Sequence, residues 1–119
     1  MESDAPVDPV TMYLQELSTV VPLTKNEELR LFQKLGDSGN WNEEQENAER
    51  RLIETHLTLV VSVAEKYLTS GIPMLDLVQE GNLGLMNAVR SFAEKPVGDF
   101  SSYATTRIEK SITNAIETR

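Results

Sequence analysis

Residues 76 to 86 read Asp76-Leu77-Val78-Gln79-Glu80-Gly81-Asn82-Leu83-Gly84-Leu85-Met86, and this stretch decides the kind of fold the chain adopts. On a helical period Leu77, Gly81, Gly84, Ala88 and Phe92 fall near one face, with Leu75, Val78, Leu85 and Val89 beside it. The pattern predicts a helix from about Met74 to Phe92. Gly81 and Gly84 lie inside it, where a glycine costs roughly 1 kcal/mol against alanine. Small residues let another helix approach closely, so the pair predicts tight helix packing. Asp76, Gln79, Asn82 and Met86 point the other way at three- and four-residue spacing. Polar in its middle, flanked by Glu80, and ending in an adaptable thioether, this stripe fits a protein-docking face. Polar helix residues are also ordinarily just solvated, so both readings stand on the pattern alone.

Outward from this segment, almost everything reads as helix. Asp8-Pro9 suits a helix start, with Asp8 as cap and Pro9 in the first turn. Val10, Tyr13, Leu14 and Leu17 then form one apolar stripe, which Val20, Val21 and Pro22 end. Thr24 followed by Glu27 is a capping-box pattern and opens a second helix, with Leu29, Phe32 and Leu35 expected on its buried side. Residues 36 to 40 are a break. Asn42 suits the cap of a third helix, with Glu43 and Glu44 in its first turn. Its apolar half begins at Leu52 and continues through Leu57, Val60, Val61 and Ala64 to Tyr67. The β-branched run over 57 to 63 also suits a strand, but the periodicity continues on both sides without a turn signal, which favours one continuous helix. Gly71 and Pro73 separate it from the glycine-bearing helix. A loop at residues 95 to 99 leads to a last helix, with Ser101 or Ser102 as cap and Tyr103, Ile108, Ile112, Ala115 and Ile116 within it. The fold class is therefore all-α: a compact bundle of about five helices over residues 8–119, one domain, preceded by a flexible N-terminus at residues 1–7.

Composition narrows the function. The 119 residues contain no cysteine, which excludes disulfides, thiolate metal sites and cysteine nucleophiles. No apolar run approaches the roughly 18 residues of a membrane span. Residues 1–22 carry acidic and no basic residues, unlike a signal peptide. A cytoplasmic protein without membrane contact is the expectation. A net charge of −8, from 11 basic and 19 acidic residues, argues against DNA binding driven by bulk charge. The acid is concentrated around Glu43, Glu44, Glu46, Glu49 and Glu54, while residues 97–119 are balanced, so any DNA contact belongs in the C-terminal part. His56 is the one histidine and has no nearby carboxylate pair at ligand spacing. The glutamates after Asn42 read as a solvated helical face rather than a cation site. Trp41 is expected to pack as a lid before the third helix. No catalytic residues, metal site or cofactor are predicted, and an enzyme is not expected.

The stretch Leu75 to Val89 closely resembles the polymerase-binding helix of sigma-70-family transcription factors. The likeness extends in order along the chain: Asp8-Pro9-Val10-Thr11-Met12-Tyr13-Leu14 resembles the opening of the family's region 1.2, residues 57 to 67 resemble region 2.1, and Phe100-Ser101-Ser102-Tyr103-Ala104-Thr105 resembles region 2.3. The resemblance implies a sigma region 2-like domain whose helix binds a coiled coil of the largest subunit of RNA polymerase core through Leu75, Asp76, Gln79, Glu80, Asn82 and Met86. It also implies a face that reads the −10 promoter element, where bases are flipped out and held by stacking, with Phe100, Tyr103, Arg107, Lys110 and Thr113 as its residues. An anti-sigma factor is a further partner that the resemblance admits. Ordinary core packing is the competing reading of Phe100 and Tyr103.

The promoter-facing part departs from the family pattern. Where two consecutive tryptophans are usual, this chain has Thr106 and Arg107. Glu109 and Lys110 stand at the following basic and glutamine positions, Asn114 at a further basic one, and Thr11 and Gln15 at positions often basic near the start. Three functional readings follow: a transcription initiation domain, a sigma-derived module or decoy that occupies polymerase without opening DNA, and a helical bundle unrelated to transcription. A fragment of a longer factor and a naturally short divergent protein are equally compatible with the sequence.

Overall fold

The computed structural model describes residues 8–36, 39 and 41–119. The expected flexible stretch 1–7 lies outside them, as do residues 37, 38 and 40 of the break after the second helix. Among the described residues six α-helices follow in order: α1 Pro9–Leu17, α2 Lys25–Leu35, α3 Glu43–Glu54, α4 Leu57–Glu65, α5 Met74–Glu94 and α6 Phe100–Thr118, with a 3₁₀ turn at Leu68–Ser70. Among the described residues there is no strand. The all-α class expected from the sequence is the one observed.

Local chemistry sets most of the boundaries. Pro9 opens α1, but Asp8 at the cap position makes no side-chain hydrogen bond to it. Of the α1 stripe, Leu17 is buried, Val10 and Tyr13 are half-buried, and Leu14 is exposed. Thr24 and Glu27 form a complete capping box. The Glu27 amide donates to Thr24 Oγ1 at 3.1 Å and the Thr24 amide donates to Glu27 Oε1 at 3.0 Å. Asn42 and Gln45 repeat the device at α3. Asp99, rather than Ser101 or Ser102, caps α6: its Oδ2 accepts from the Ser102 amide at 3.1 Å.

Two expectations about packing are corrected. Leu29 was expected on the buried side of α2 but is 57% exposed. The buried arc runs through Glu28, Leu31, Phe32 and Leu35, which places Leu29 at its rim. The expected continuous helix from Asn42 to Tyr67 is divided at Thr55-His56. There Thr55 Oγ1 donates to the carbonyl oxygens of Arg51 and Leu52, at 3.0 and 3.2 Å, and His56 Nδ1 lies 2.7 Å from the Leu52 oxygen. The Arg51 carbonyl still accepts from the Thr55 amide, but the His56 amide turns to Ile53 at 3.0 Å and side chains take the Leu52 carbonyl that a continuing helix would use, so the chain turns without glycine or proline. The β-branched run beyond is helix α4, its conformation carried by burial of Val60, Val61, Val63 and Ala64.

α5 and α6 are the longest helices and pack along each other. A Cβ at Gly81 would sit 2.6 Å from Val60 Cγ1, and one at Gly84 would sit 2.7 Å from Ser111 Oγ and 2.8 Å from the Arg107 carbonyl oxygen. The two glycines therefore admit α4 and α6 at distances no other residue permits. Around this crossing Leu52, Leu77, Leu85, Val89, Ile108 and Ile112 are fully buried. At one end of the core Phe32, Phe92 and Phe100 form a triangle with centroid separations of 4.8 to 5.2 Å, tying α2 to the end of α5 and the start of α6. His56 meets Phe100 edge-on at 4.8 Å, and its Nε2 pairs with Glu28 Oε1 at 3.0 Å. The histidine is thus a structural link between elements, with both ring nitrogens engaged.

Candidate protein- and DNA-facing surfaces

Burying Leu77, Gly81, Leu85, Ala88 and Phe92 turns the opposite side of α5 outward. Gln79 and Met86 are exposed there, Met86 at 39%. Asp76 and Glu80 flank them on the α6 side. Asp76 Oδ2 lies 3.5 Å from Arg119 Nη1, and Glu80 borders a shallow depression shared with Ser111, Asn114 and Thr118. Leu75 and Asn82 occupy the other flank, both half-buried. Asn82 Oδ1 is shut off from solvent and has no hydrogen-bond partner. The predicted docking residues thus share one side of α5, but as a central strip with two edges rather than a single line.

Leu83 was missed. It is 60% exposed, one turn after Gln79 and three residues before Met86, so it supplies the apolar centre of the strip. The signal was that same spacing: a leucine at i+4 from an outward glutamine lies outward too. Arg90 continues the strip and is fixed from behind by Glu49, which the sequence pattern places on a solvated acidic face. Glu49 is instead buried. It accepts from Arg90 Nε at 2.6 Å and Nη2 at 3.1 Å. The hydrogen bond and the charge of Glu49 together raise the Arg90 guanidinium above its ordinary value. Arg90 also lies under Trp41, 5.9 Å from the ring centroid. Trp41 is half exposed, so it covers this ion pair rather than the hydrophobic core.

The second surface is the outer side of α6 and the loop before it. Its predicted residues are not all presented alike. Phe100 is 3% exposed, inside the aromatic triangle. Tyr103 is half-buried, its ring 5.4 Å from that of Phe92. Arg107 donates Nη2 to the Tyr103 hydroxyl at 2.9 Å and Nη1 to Asn87 Oδ1 at 2.7 Å. Lys110 is exposed, and Thr113 is half-buried with its hydroxyl donating back to the Glu109 carbonyl at 2.9 Å. Glu109, beside them, is paired with Lys66, just after α4, at 3.0 Å. Tyr103, Arg107, Lys110 and Thr113 thus run along the accessible part of α6, while Phe100 anchors its start.

Among the described residues, no group of histidine and acidic side chains is placed to hold a metal ion, and no helix is long and apolar enough to cross a membrane. What the fold offers is an all-α domain with two long, adjacent helices whose outward sides carry distinct chemistry. Residues 52–119 match the sigma-70 region 2 family. Over 109 residues, 92% of this chain, the sequence is 44% identical to RNA polymerase sigma factor SigA of Clostridium acetobutylicum, 45% identical to SigA of Listeria monocytogenes and 43% identical to SigA of a Bacillus species. The chain belongs to the sigma-70 family of RNA polymerase sigma factors. It spans 27 to 28% of the length of these relatives.

Proposed function

We propose that residues 8–119 act as one non-enzymatic transcription initiation domain in the cytoplasm, docking on RNA polymerase core through α5 and presenting α6 to the −10 element of promoter DNA. The observation that carries the docking half is the outward strip of α5. Gln79, Leu83 and Met86 form its centre, Asp76 and Glu80 one edge, and Leu75 and Asn82 the other. An apolar centre with a polar rim is the usual anatomy of a protein interface, and a coiled coil of the largest polymerase subunit is the partner the family implies. Support for the promoter half comes from the accessible run Tyr103, Arg107, Lys110 and Thr113. Phe100 contributes by fixing the start of α6 rather than by touching a base.

Pull-down of polymerase core tests the docking half. The chain captures core, and Gln79→Ala with Asn82→Ala abolishes capture while leaving the thermal melting curve cooperative. Capture unchanged by both substitutions sinks the α5 reading.

A second reading, a sigma-derived module or decoy that occupies polymerase without opening DNA, is favoured by the missing tryptophan pair, the buried Phe100 and the net charge of −8. Selective binding of single-stranded −10 DNA by the core complex decides against the decoy. An anti-sigma factor competing for the α5 strip is compatible with either reading.

A further inference from the structure

Arg107 stands where the family pattern carries an indole, and Tyr103 and Asn87 hold it in place. Its guanidinium carbon lies over the Tyr103 ring, 5.1 Å from the centroid. One nitrogen donates to the Tyr103 hydroxyl and the other to Asn87 of α5. Tyr103 is backed in turn by Phe92. The backbone of Arg107 is fixed as well, because its carbonyl sits at the closest approach of α6 to Gly84. The order inward from solvent is therefore guanidinium, phenol, core phenylalanine. The guanidinium sits at the hydroxyl end of the phenol ring, so a base brought to that end of Tyr103 meets Arg107 first. A guanidinium is planar, delocalised and weakly hydrated, so it stacks on rings and on base faces, and it keeps a positive charge for the neighbouring phosphate.

We propose that Arg107, clasped by Asn87 and backed by Tyr103, is the stacking surface for an unpaired base of single-stranded DNA in this domain, in the place of the tryptophan pair. The proposal rests on the promoter-facing reading above and names the residue that makes its first contact. Asn87 is a positioning residue: it holds the guanidinium plane and does not reach the base. Glu109 lies on the same helix but is turned to Lys66, which reduces its repulsion of the arriving phosphate.

The test uses the whole chain bound to RNA polymerase core and a single-stranded DNA of the −10 non-template sequence, with one adenine at a time replaced by an abasic site. Wild type loses about tenfold in affinity at one abasic position, the scale of one lost base stack. Arg107→Lys keeps the charge and loses the plane; it binds the intact strand about tenfold more weakly, with the salt dependence unchanged, and loses nothing further at that abasic position. Asn87→Ala, at an exposed position, shows part of this loss without moving the melting temperature. Full affinity in Arg107→Lys, or an undiminished loss at the abasic position, overturns the proposal by reducing Arg107 to a phosphate contact. If Tyr103→Ala then still weakens binding, promoter reading survives without it. A wild-type complex that binds this strand no better than a scrambled one overturns both.

Discussion

Glu49 of α3 and Arg90 of α5 form a two-pronged ion pair, Nε to Oε2 at 2.6 Å and Nη2 to Oε1 at 3.1 Å, with the carboxylate buried and the guanidinium largely in solvent. The pair braces the outward strip of α5 from the side of the acidic helix. Its geometry lets both N–H groups meet both oxygens, which makes it stronger than an ordinary surface pair.

Arg90→Ala leaves the Glu49 carboxylate inside without its donors. The expected loss is about 2 kcal/mol, within the range for hydrogen bonds to charged groups, read as a lower urea midpoint at unchanged slope. Glu49→Gln keeps an acceptor and a similar shape and costs less. A double-mutant cycle giving no coupling between the two positions would show that the pair does not brace the helix.

Gly84→Ala is expected to destabilise the fold although alanine is the better helix former. The gain in propensity is about 1 kcal/mol, and overpacking costs about 1–3 kcal/mol. The added Cβ would meet a backbone oxygen at 2.8 Å as well as Ser111 Oγ at 2.7 Å, and a helix backbone does not step aside as a side chain does. Denaturant unfolding with a midpoint at or above wild type would contradict the close α5–α6 contact.

Which features were legible follows from their range along the chain. Thr24 with Glu27, and the glycines at 81 and 84, act within a few residues or through size alone, so their roles were readable in sequence order. The turn at Thr55-His56 was not, because it contains no breaker residue; there side chains take the carbonyl of Leu52. Glu49 looked like one of several solvated glutamates because its partner lies 41 residues away. Arg107 was visible as a departure from the family pattern, but its bonds to Asn87 and Tyr103 exist only once α5 and α6 are side by side. Leu83 was within reach of the helical period, four residues after Gln79 on the same outward side.

Leu83→Glu tests the apolar centre of the proposed docking strip. The residue is exposed, so the substitution leaves unfolding within about 0.5 kcal/mol of wild type. It places a charge where the interface would be dry, and affinity for polymerase core falls at least about tenfold, as for a central anchor. Titration with labelled core measures this. Unaltered affinity would move the anchor away from Leu83 and toward the polar edges at Asp76, Glu80 and Asn82.

The capping box at α2 predicts an acid dependence whose sign is fixed by its geometry. The Thr24 backbone amide and then its side chain hold the Glu27 carboxyl below its ordinary value; desolvation opposes them, and Arg51 and Arg30 add smaller help. A carboxyl whose value is lower folded than unfolded stabilises the fold in its charged form. Its contribution is fully present above the unfolded value of 4.5 and is lost as pH falls through the lower folded one. Glu27→Gln keeps an oxygen for the Thr24 amide but has no charge to lose. Its melting temperature should therefore lie below wild type at neutral pH, with the gap closing only under acid. A gap independent of pH would mean that the charge of Glu27 contributes nothing and that the hydrogen bond alone caps the helix.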